Sequence, residues 1–209
     1  MRTAAEFNLY YAKPDPWRVS RSSFRDRVLR DRLVGFITDS SILELGCGEG
    51  HLTETLFADA RAVTGIDISE VAIGRAMARH LPRARFECRD FLGAPFGGYD
   101  VIAALECVYY LAAEEREQFF AKVAREHRGK PLILSAPIIG GQYFTHDELM
   151  TAFQRHGFAV LEYRNIFVDW RSPAEIIAGR MVRLPFCLWL LDLLPESFIR
   201  QRSYVVAAR

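Results

Sequence analysis

Four carboxylates stand where apolar runs give way to loops: Glu44, Asp67, Asp90 and Glu106. At the ends of buried strands such groups can accept hydrogen bonds from hydroxyls and amines, or take a proton from a nucleophile. Just after Glu44 comes Gly46-Cys47-Gly48-Glu49-Gly50, with glycines at alternate positions. Glycine permits positive φ and lets a ligand approach the main chain closely, so a nucleotide-like ligand suits this loop. Its kind follows from the spacing. The dinucleotide fingerprint places its third glycine three residues after the second, and His51 stands there instead. Glu44, two residues before the first glycine, would repel phosphates and suits a cationic ligand.

The other strand ends agree in type and order. Asp67 lies about 20 residues past the glycines, where a carboxylate accepts from both ribose hydroxyls. The competing role is a cap on the helix that follows. Ile68 would then cover one face of the base. Asp90-Phe91 offers an acceptor for the exocyclic amine and a backbone to cover the ring, although a lone Asp at a strand end is commonly a turn residue. Glu106 is followed by Cys107-Val108-Tyr109-Tyr110. This places one carboxylate and two tyrosines beside the far half of the ligand, where a second substrate would react. Ahead of all these, Tyr10, Tyr11, Trp17 and Arg18 form an aromatic and cationic cluster.

These residues need a scaffold that brings strand ends together. Apolar runs at 41–45, 62–66, 85–88, 99–105, 131–136, 159–164 and 203–208 read as strands. Helical periodicity fills 51–57, 69–80, 113–127 and 146–156, the last stopping at Gly157. An earlier helix carries Phe24, Val28, Leu29, Leu33, Phe36 and Ile37 on one face, with arginines, Asp26 and Asp31 on the other, expected to be solvated. Alternating strands and helices imply an α/β fold with a largely parallel sheet covered on both faces. Ligands of such sheets bind at the carboxyl ends of the strands.

The set Glu44-Leu45-Gly46-Cys47-Gly48-Glu49-Gly50, Asp67-Ile68, Asp90-Phe91 and Glu106 resembles the motifs of class I S-adenosylmethionine-dependent methyltransferases. Asp15-Pro16-Trp17-Arg18, Ala72-Ile73-Gly74-Arg75-Ala76 and 106–111 are similar to the rhizobial nodulation-factor N-methyltransferases, which act on the amino group of a sugar. That likeness ends near residue 136. The resemblance implies a Rossmann-like seven-stranded, mostly parallel sheet with the last strand antiparallel. It implies S-adenosylmethionine as cofactor, held by Tyr11, Arg18, Glu44, Gly46, Cys47, Gly48, Asp67, Ile68, Asp90, Phe91 and Glu106. It further implies transfer of a methyl group to a small molecule, at an amino or hydroxyl group of a sugar or glycoconjugate. Alignment of the reactants is then the main task, with a base for the acceptor's proton. Glu106, Tyr109 and His146 are the catalytic candidates, with Tyr110 and Tyr143 as further bases. The other histidines are expected to be structural. A non-catalytic S-adenosylmethionine-binding or interaction protein and an NAD-dependent oxidoreductase are the alternatives.

The bulk composition fits one domain over 1–209: an N-terminal lid and helix (1–40), a cofactor-binding core (41–164), an apolar helical insertion or cap (165–202) and a last strand (203–209). Its net charge of +1 gives no reason to expect nucleic acid as a partner. Lys13, Lys122 and Lys130 are the only lysines among 27 basic residues, a bias read as codon usage before anion binding. Four dispersed cysteines and no zinc spacing point to a reduced, metal-free chain. With no signal-type start and no long apolar run, a cytoplasmic location is expected. The segment 165–202 carries Ile176, Ile177, Met181, Leu184 and Leu188, then Trp189 to Leu194. Three roles stay open for it: a cap over the acceptor pocket, a homodimer contact in place of a monomer, or peripheral lipid contact through 184–194.

Overall fold

The computed structural model describes residues 3–21, 23–168 and 185–209. Seven strands form one sheet: β1 (Ser41–Leu45), β2 (Ala62–Asp67), β3 (Ala84–Cys88), β4 (Val101–Leu105), β5 (Pro131–Pro137), β6 (Phe158–Val168) and β7 (Ile199–Ala208). Their order is β3-β2-β1-β4-β5-β7-β6. The pairs among β1 to β5 are parallel, while β7 runs antiparallel to both β5 and β6. The strand order reverses between β1 and β4, which opens a crevice at their carboxyl ends.

Helices α1 (Ala4–Tyr10), α2 (Ser23–Ile37), α3 (His51–Thr55), α4 (Glu70–Met77), α5 (Ala113–Glu126) and α6 (His146–Arg155) complete the layers. All five residues of β4 are buried, as the continuous apolar run of a central parallel strand requires. One face is filled by Phe96, Phe119, Phe120, Leu149 and Phe153 from α5, α6 and their loops. On the other face Val28, Leu29, Leu33 and Ile37 of α2 pack with Leu56 and Phe57. Each such side chain contributes about 1.5–3 kcal/mol by leaving water.

Local signals set the helix ends. Ser69 Oγ accepts from the Ala72 N–H at 3.2 Å, so α4 starts one residue after it. Gly157 takes φ +73° after α6 and returns the chain into β6. Helix α1 has no counterpart among the expected elements. Thr3 and Glu6 close a reciprocal cap at its start, a short-range pattern hidden by the tyrosines and proline that follow.

The C-terminal boundaries also differ. Strand β6 runs on to Val168 and β7 begins at Ile199, so the intervening segment is 169–198, shorter than the expected 165–202. Ile176, Ile177, Met181 and Leu184 lie outside the described residues. Residues Pro185–Leu193 form a 3-10 helix instead of an α-helix. Among the described residues, no helix is long and apolar enough to cross a membrane, and no cluster of His, Cys, Asp and Glu could hold a metal ion.

Candidate active site

The carboxyl ends of the strands open into a cavity of about 700 Å³, ordinary for a small-molecule site. Glu44, Gly46, Cys47, Gly48, Asp67, Ile68, Asp90, Phe91, Glu106 and Tyr109 line it, joined by Tyr11 from the N-terminal segment.

The glycine loop is shaped by two close approaches. Gly46 has φ +66°, and a Cβ there would stand 2.6 Å from Cys107 Cβ. At Gly48, with φ +54°, a Cβ would meet the Tyr11 hydroxyl at 2.6 Å. The first glycine therefore lets the β1 and β4 loops close on each other, and the second admits the N-terminal segment. Asp67 holds this turn: its Oδ2 accepts from the Gly48 N–H and its Oδ1 from the Ser69 N–H, both at 2.9 Å. Each oxygen retains a second lone pair for a ligand hydroxyl. Asp90 accepts from the Leu92 N–H at 3.0 Å, capping a short turn at the cavity edge. Phe91 lines the cavity, and its ring packs edge-on against Phe119 in the core.

Electrostatically the cavity is built around buried carboxylates. Glu44 is 2% exposed; burial pushes its carboxyl up to about 8, opposed by the Thr53 hydroxyl that donates at 2.5 Å and reinforced by the charge of Asp67. Burial also raises Asp67, opposed by backbone amide bonds from Ser69, Gly48 and Ile68. Glu106 is raised by burial too, with Ser135 Oγ donating at 2.6 Å, a side-chain bond from Gln201, and Arg25 opposing the rise. Its backbone sits at φ +59°, a left-handed conformation that costs a non-glycine residue about 1–2 kcal/mol. A cationic ligand relieves all three desolvated acids, whereas a pyrophosphate would add to their repulsion. The residues present thus fit a cofactor bearing an ammonium and a sulfonium.

The N-terminal segment closes over the loop. Tyr11 packs edge-on to Trp17 with ring centroids 5.1 Å apart, and Phe7 to Tyr110 at 5.3 Å. Glu49, between the second and third glycines, accepts from the Asp15 N–H at 2.9 Å and pairs with Arg75 at 2.5 Å. Asn8 accepts from Ser69 Oγ at 2.6 Å. Tyr109 is packed against Tyr110 and Tyr143, with centroids at 4.6 and 5.0 Å. Burial and the nearby Glu106 hold its hydroxyl protonated far above the ordinary phenol range. It is suited to donate a hydrogen bond, not to act as the base.

Several expectations need correction. Arg18 is exposed and does not line the cavity, whereas Arg25, from the first turn of α2, does. The α2 arginines and Asp26 are expected in solvent, and His51 in a structural role. Instead His51 lines the cavity with its Nε2 2.9 Å from Asp26 Oδ2, and Asp26 also binds Arg25 at 2.9 Å. Their separation of 25 residues hid this cluster, since a single helix pattern cannot say which end of its polar face meets a neighbouring loop. Gln201 and Arg200 were missed as well, being delivered by the antiparallel β7.

His146 stands elsewhere. Its Nδ1 lies 2.9 Å from the Tyr204 hydroxyl, its ring stacks on that tyrosine, and it does not line the cavity. Burial and Arg202 lower its pKa. The helix start that carries it packs against β7, away from the strand ends. Nor do any described residues of 185–198 line the cavity. Leu191 is fully buried in the α2 face of the sheet, and Asn165 Nδ2 donates to its carbonyl at 2.8 Å. This part of the chain is core cover, not a pocket cap; Trp189 and Leu193 remain exposed.

The chain is similar to known proteins in sequence and fold. Residues 42–128 match a family model described as a methyltransferase domain. Nodulation protein S of Azorhizobium caulinodans is 29% identical over 110 residues, covering 49% of this chain and 52% of that protein. A probable S-adenosylmethionine-dependent methyltransferase of Mycobacterium tuberculosis is 30% identical over 112 residues, covering 53% of this chain and 40% of that one. The chain spans about half the length of the curated relatives it matches. In structure, the nodulation N-methyltransferase of Bradyrhizobium japonicum, solved with S-adenosyl-L-homocysteine, superposes with a TM-score of 0.70 at 19% identity. That match covers 99% of this chain and 98% of the other, so the likeness of fold continues through the C-terminal third. Residues 42–128 thus match a methyltransferase domain, and with its glycine loop and ordered acids at successive strand ends the chain resembles the class I S-adenosylmethionine-dependent methyltransferases, the nodulation N-methyltransferases among them.

Proposed function

We propose that this protein methylates an amino or hydroxyl group of a small molecule, with an amine on a sugar or similar polar ring as the favoured acceptor. The observation that carries the reading is Glu106: a half-buried carboxylate with a raised pKa, lining the cavity on a left-handed backbone and steadied by Ser135 and Gln201. When bound, S-adenosylmethionine supplies an electrophilic methyl group and leaves as a neutral thioether.

The chain's own residues do the rest. Gly46 and Gly48 leave room for the ligand against the main chain, Asp67 offers its remaining lone pairs to the ribose, and Asp90 with the Phe91 main chain borders the base. Glu44 and Asp67 compensate the positive charge. Arg25 is the guanidinium placed to meet the cofactor's carboxylate, a charge-assisted contact. Tyr11, Trp17 and Phe7 keep water from the reacting atoms, which strengthens every polar contact inside. The Glu106 carboxylate accepts the proton that the acceptor nitrogen or oxygen must lose, and Tyr109 donates a hydrogen bond to hold the acceptor in line.

Titration calorimetry with S-adenosylhomocysteine and with NAD tests the cofactor. Binding of the former alone is expected, and tight NAD binding without a response to the former would sink the reading. A methyl-transfer assay across amino sugars and small phenols tests the chemistry. Cofactor binding with no turnover on any acceptor would favour a non-catalytic binding protein.

A further inference from the structure

We infer that Arg116 is a positioning residue of the acceptor half: it clasps the loop after β4 to the loop after β5 and so sets the gap between Tyr109 and Tyr143. The inference rests on the methyltransferase reading and names what shapes the acceptor end of that site. Tyr109 and Tyr143 both line the cavity, and their rings meet edge-on with centroids 5.0 Å apart. They come from different loops, 106–112 and 138–145. Arg116, near the start of α5, reaches both. Its Nη2 donates to the Tyr109 carbonyl at 2.7 Å and to the Gln142 carbonyl at 2.9 Å. One nitrogen with two hydrogens thus spans the two loops. Its Nε donates to the Leu111 carbonyl at 3.0 Å, and the guanidinium lies 4.4 Å over the Phe144 ring.

Helix stability does not ask for an arginine here. A cation near a helix N-terminus opposes the macrodipole, and the first turn carries Glu114 and Glu115, as the dipole favours. Burial lowers the Arg116 pKa, the mark of a charge held away from water. Three main-chain carbonyls of the acceptor loops offset that penalty. The loop after β5 needs such a hold. Gly140 and Gly141 take φ +74° and +71°, and the loop closes on itself where the Gly140 N–H donates to the Phe144 carbonyl at 3.0 Å. That bond fixes the shape of the loop, and Arg116 fixes its distance from Tyr109. A lysine ammonium lacks the planar fork that reaches Leu111, Tyr109 and Gln142 together.

Amide hydrogen exchange on the full chain saturated with S-adenosylhomocysteine tests the clasp in Arg116→Gln and Arg116→Lys. Amides of 106–112 and of 138–145 should both exchange about tenfold faster in Arg116→Gln, through the loss of charge-assisted bonds. Arg116→Lys should restore at most one of the two loops. Arg125→Gln, the same loss of charge near the other end of α5, should move neither. Unchanged S-adenosylhomocysteine affinity by calorimetry controls for folding. Should Arg116→Gln lose that affinity, the reading passes to Arg116→Lys, in which at least one loop must loosen. Faster exchange in only one loop of a folded Arg116→Gln, in neither, or along the whole of α5 overturns the inference. Methyl transfer to amino sugars and small phenols is read separately. The acceptor KM should rise about tenfold in Arg116→Gln, with the KM for S-adenosylmethionine unchanged. An unchanged acceptor KM overturns the inference and leaves the proposed function standing. No transfer by the wild type to any acceptor counts against the proposed function, and exchange alone then decides the clasp.

Discussion

The carboxyl ends of β1 to β3, and those of β4 and β5 with the amino end of the antiparallel β7, build the two halves of one cavity by different means. The first half is made largely of main chain. Gly46 and Gly48 are near neighbours in the chain, Asp67 joins them from the end of β2, and the hydrogen bonds are amide to carboxylate. The second half is made of side chains brought from far apart: Glu106 from β4, Ser135 from β5, Gln201 and Arg200 from β7, and Arg25 from α2. Main-chain sites recognise a constant ligand, because peptide geometry varies little with sequence. Side-chain sites can change partner by single substitutions, which is where the identity of an acceptor is decided.

If this division is right, damage to each half has a different signature. Glu106→Gln should lower kcat by roughly 10²–10⁴-fold, the usual share of a general base, with little change in S-adenosylhomocysteine affinity by calorimetry. Equal losses in both would erase the division. The remaining activity of the wild type should rise with pH through a pKa above the ordinary carboxylate range, since burial raises this group and only its ionised form accepts a proton.

On the cofactor side, Asp67→Ala should weaken S-adenosylhomocysteine binding by roughly 1–3 kcal/mol, the loss of hydrogen bonds to a charged group. Because Asp67 also holds Gly48 and Ser69, Asp67→Asn, which keeps one acceptor oxygen, should lose less. Unchanged affinity in both variants would remove Asp67 from the site.

Glu44 sharpens the electrostatic part. Its folded pKa of about 8 lies above the ordinary value of 4.5, so the folded state holds a proton that the unfolded chain releases between those values. Ligand-free stability is thus favoured at low pH and lost as pH rises through that window. Glu44→Gln should flatten the fall, so its melting temperature gains on the wild type between pH 5 and pH 8. A constant difference would mean that Glu44 does not titrate there. The smallest effect is expected at His146, outside the cavity: His146→Ala should leave kcat within about twofold, the range of changes away from a site. A large kcat loss without loss of stability would move the acceptor half toward α6.

Much of this organisation was legible in the chain. Strand β1 is recognisable because its apolar run ends at once in the glycines, and β4 because burial on both faces demands an unbroken apolar sequence. Glu44, Asp67, Asp90 and Glu106 follow from the same logic, since a parallel sheet sends each strand end to one edge. Arg18 is named by its place in the aromatic and cationic cluster with Trp17, yet the backbone turns at Asp15 and Arg18, both with positive φ, and the side chain is exposed. His146 was favoured for following β5, and the packing of α6 on Tyr204 took it away.

Local sequence determined the strand–loop–helix units, the glycine turn and thereby the class of cofactor, because those features depend on residues within a few positions of each other. Tertiary structure alone decided that Asp26 meets His51, that Gln201 steadies Glu106, and that Leu191 covers the sheet instead of the pocket. Each of those contacts depends on the relative placement of whole elements, which is set by how α2 and β7 pack against the sheet and by no pattern within either one.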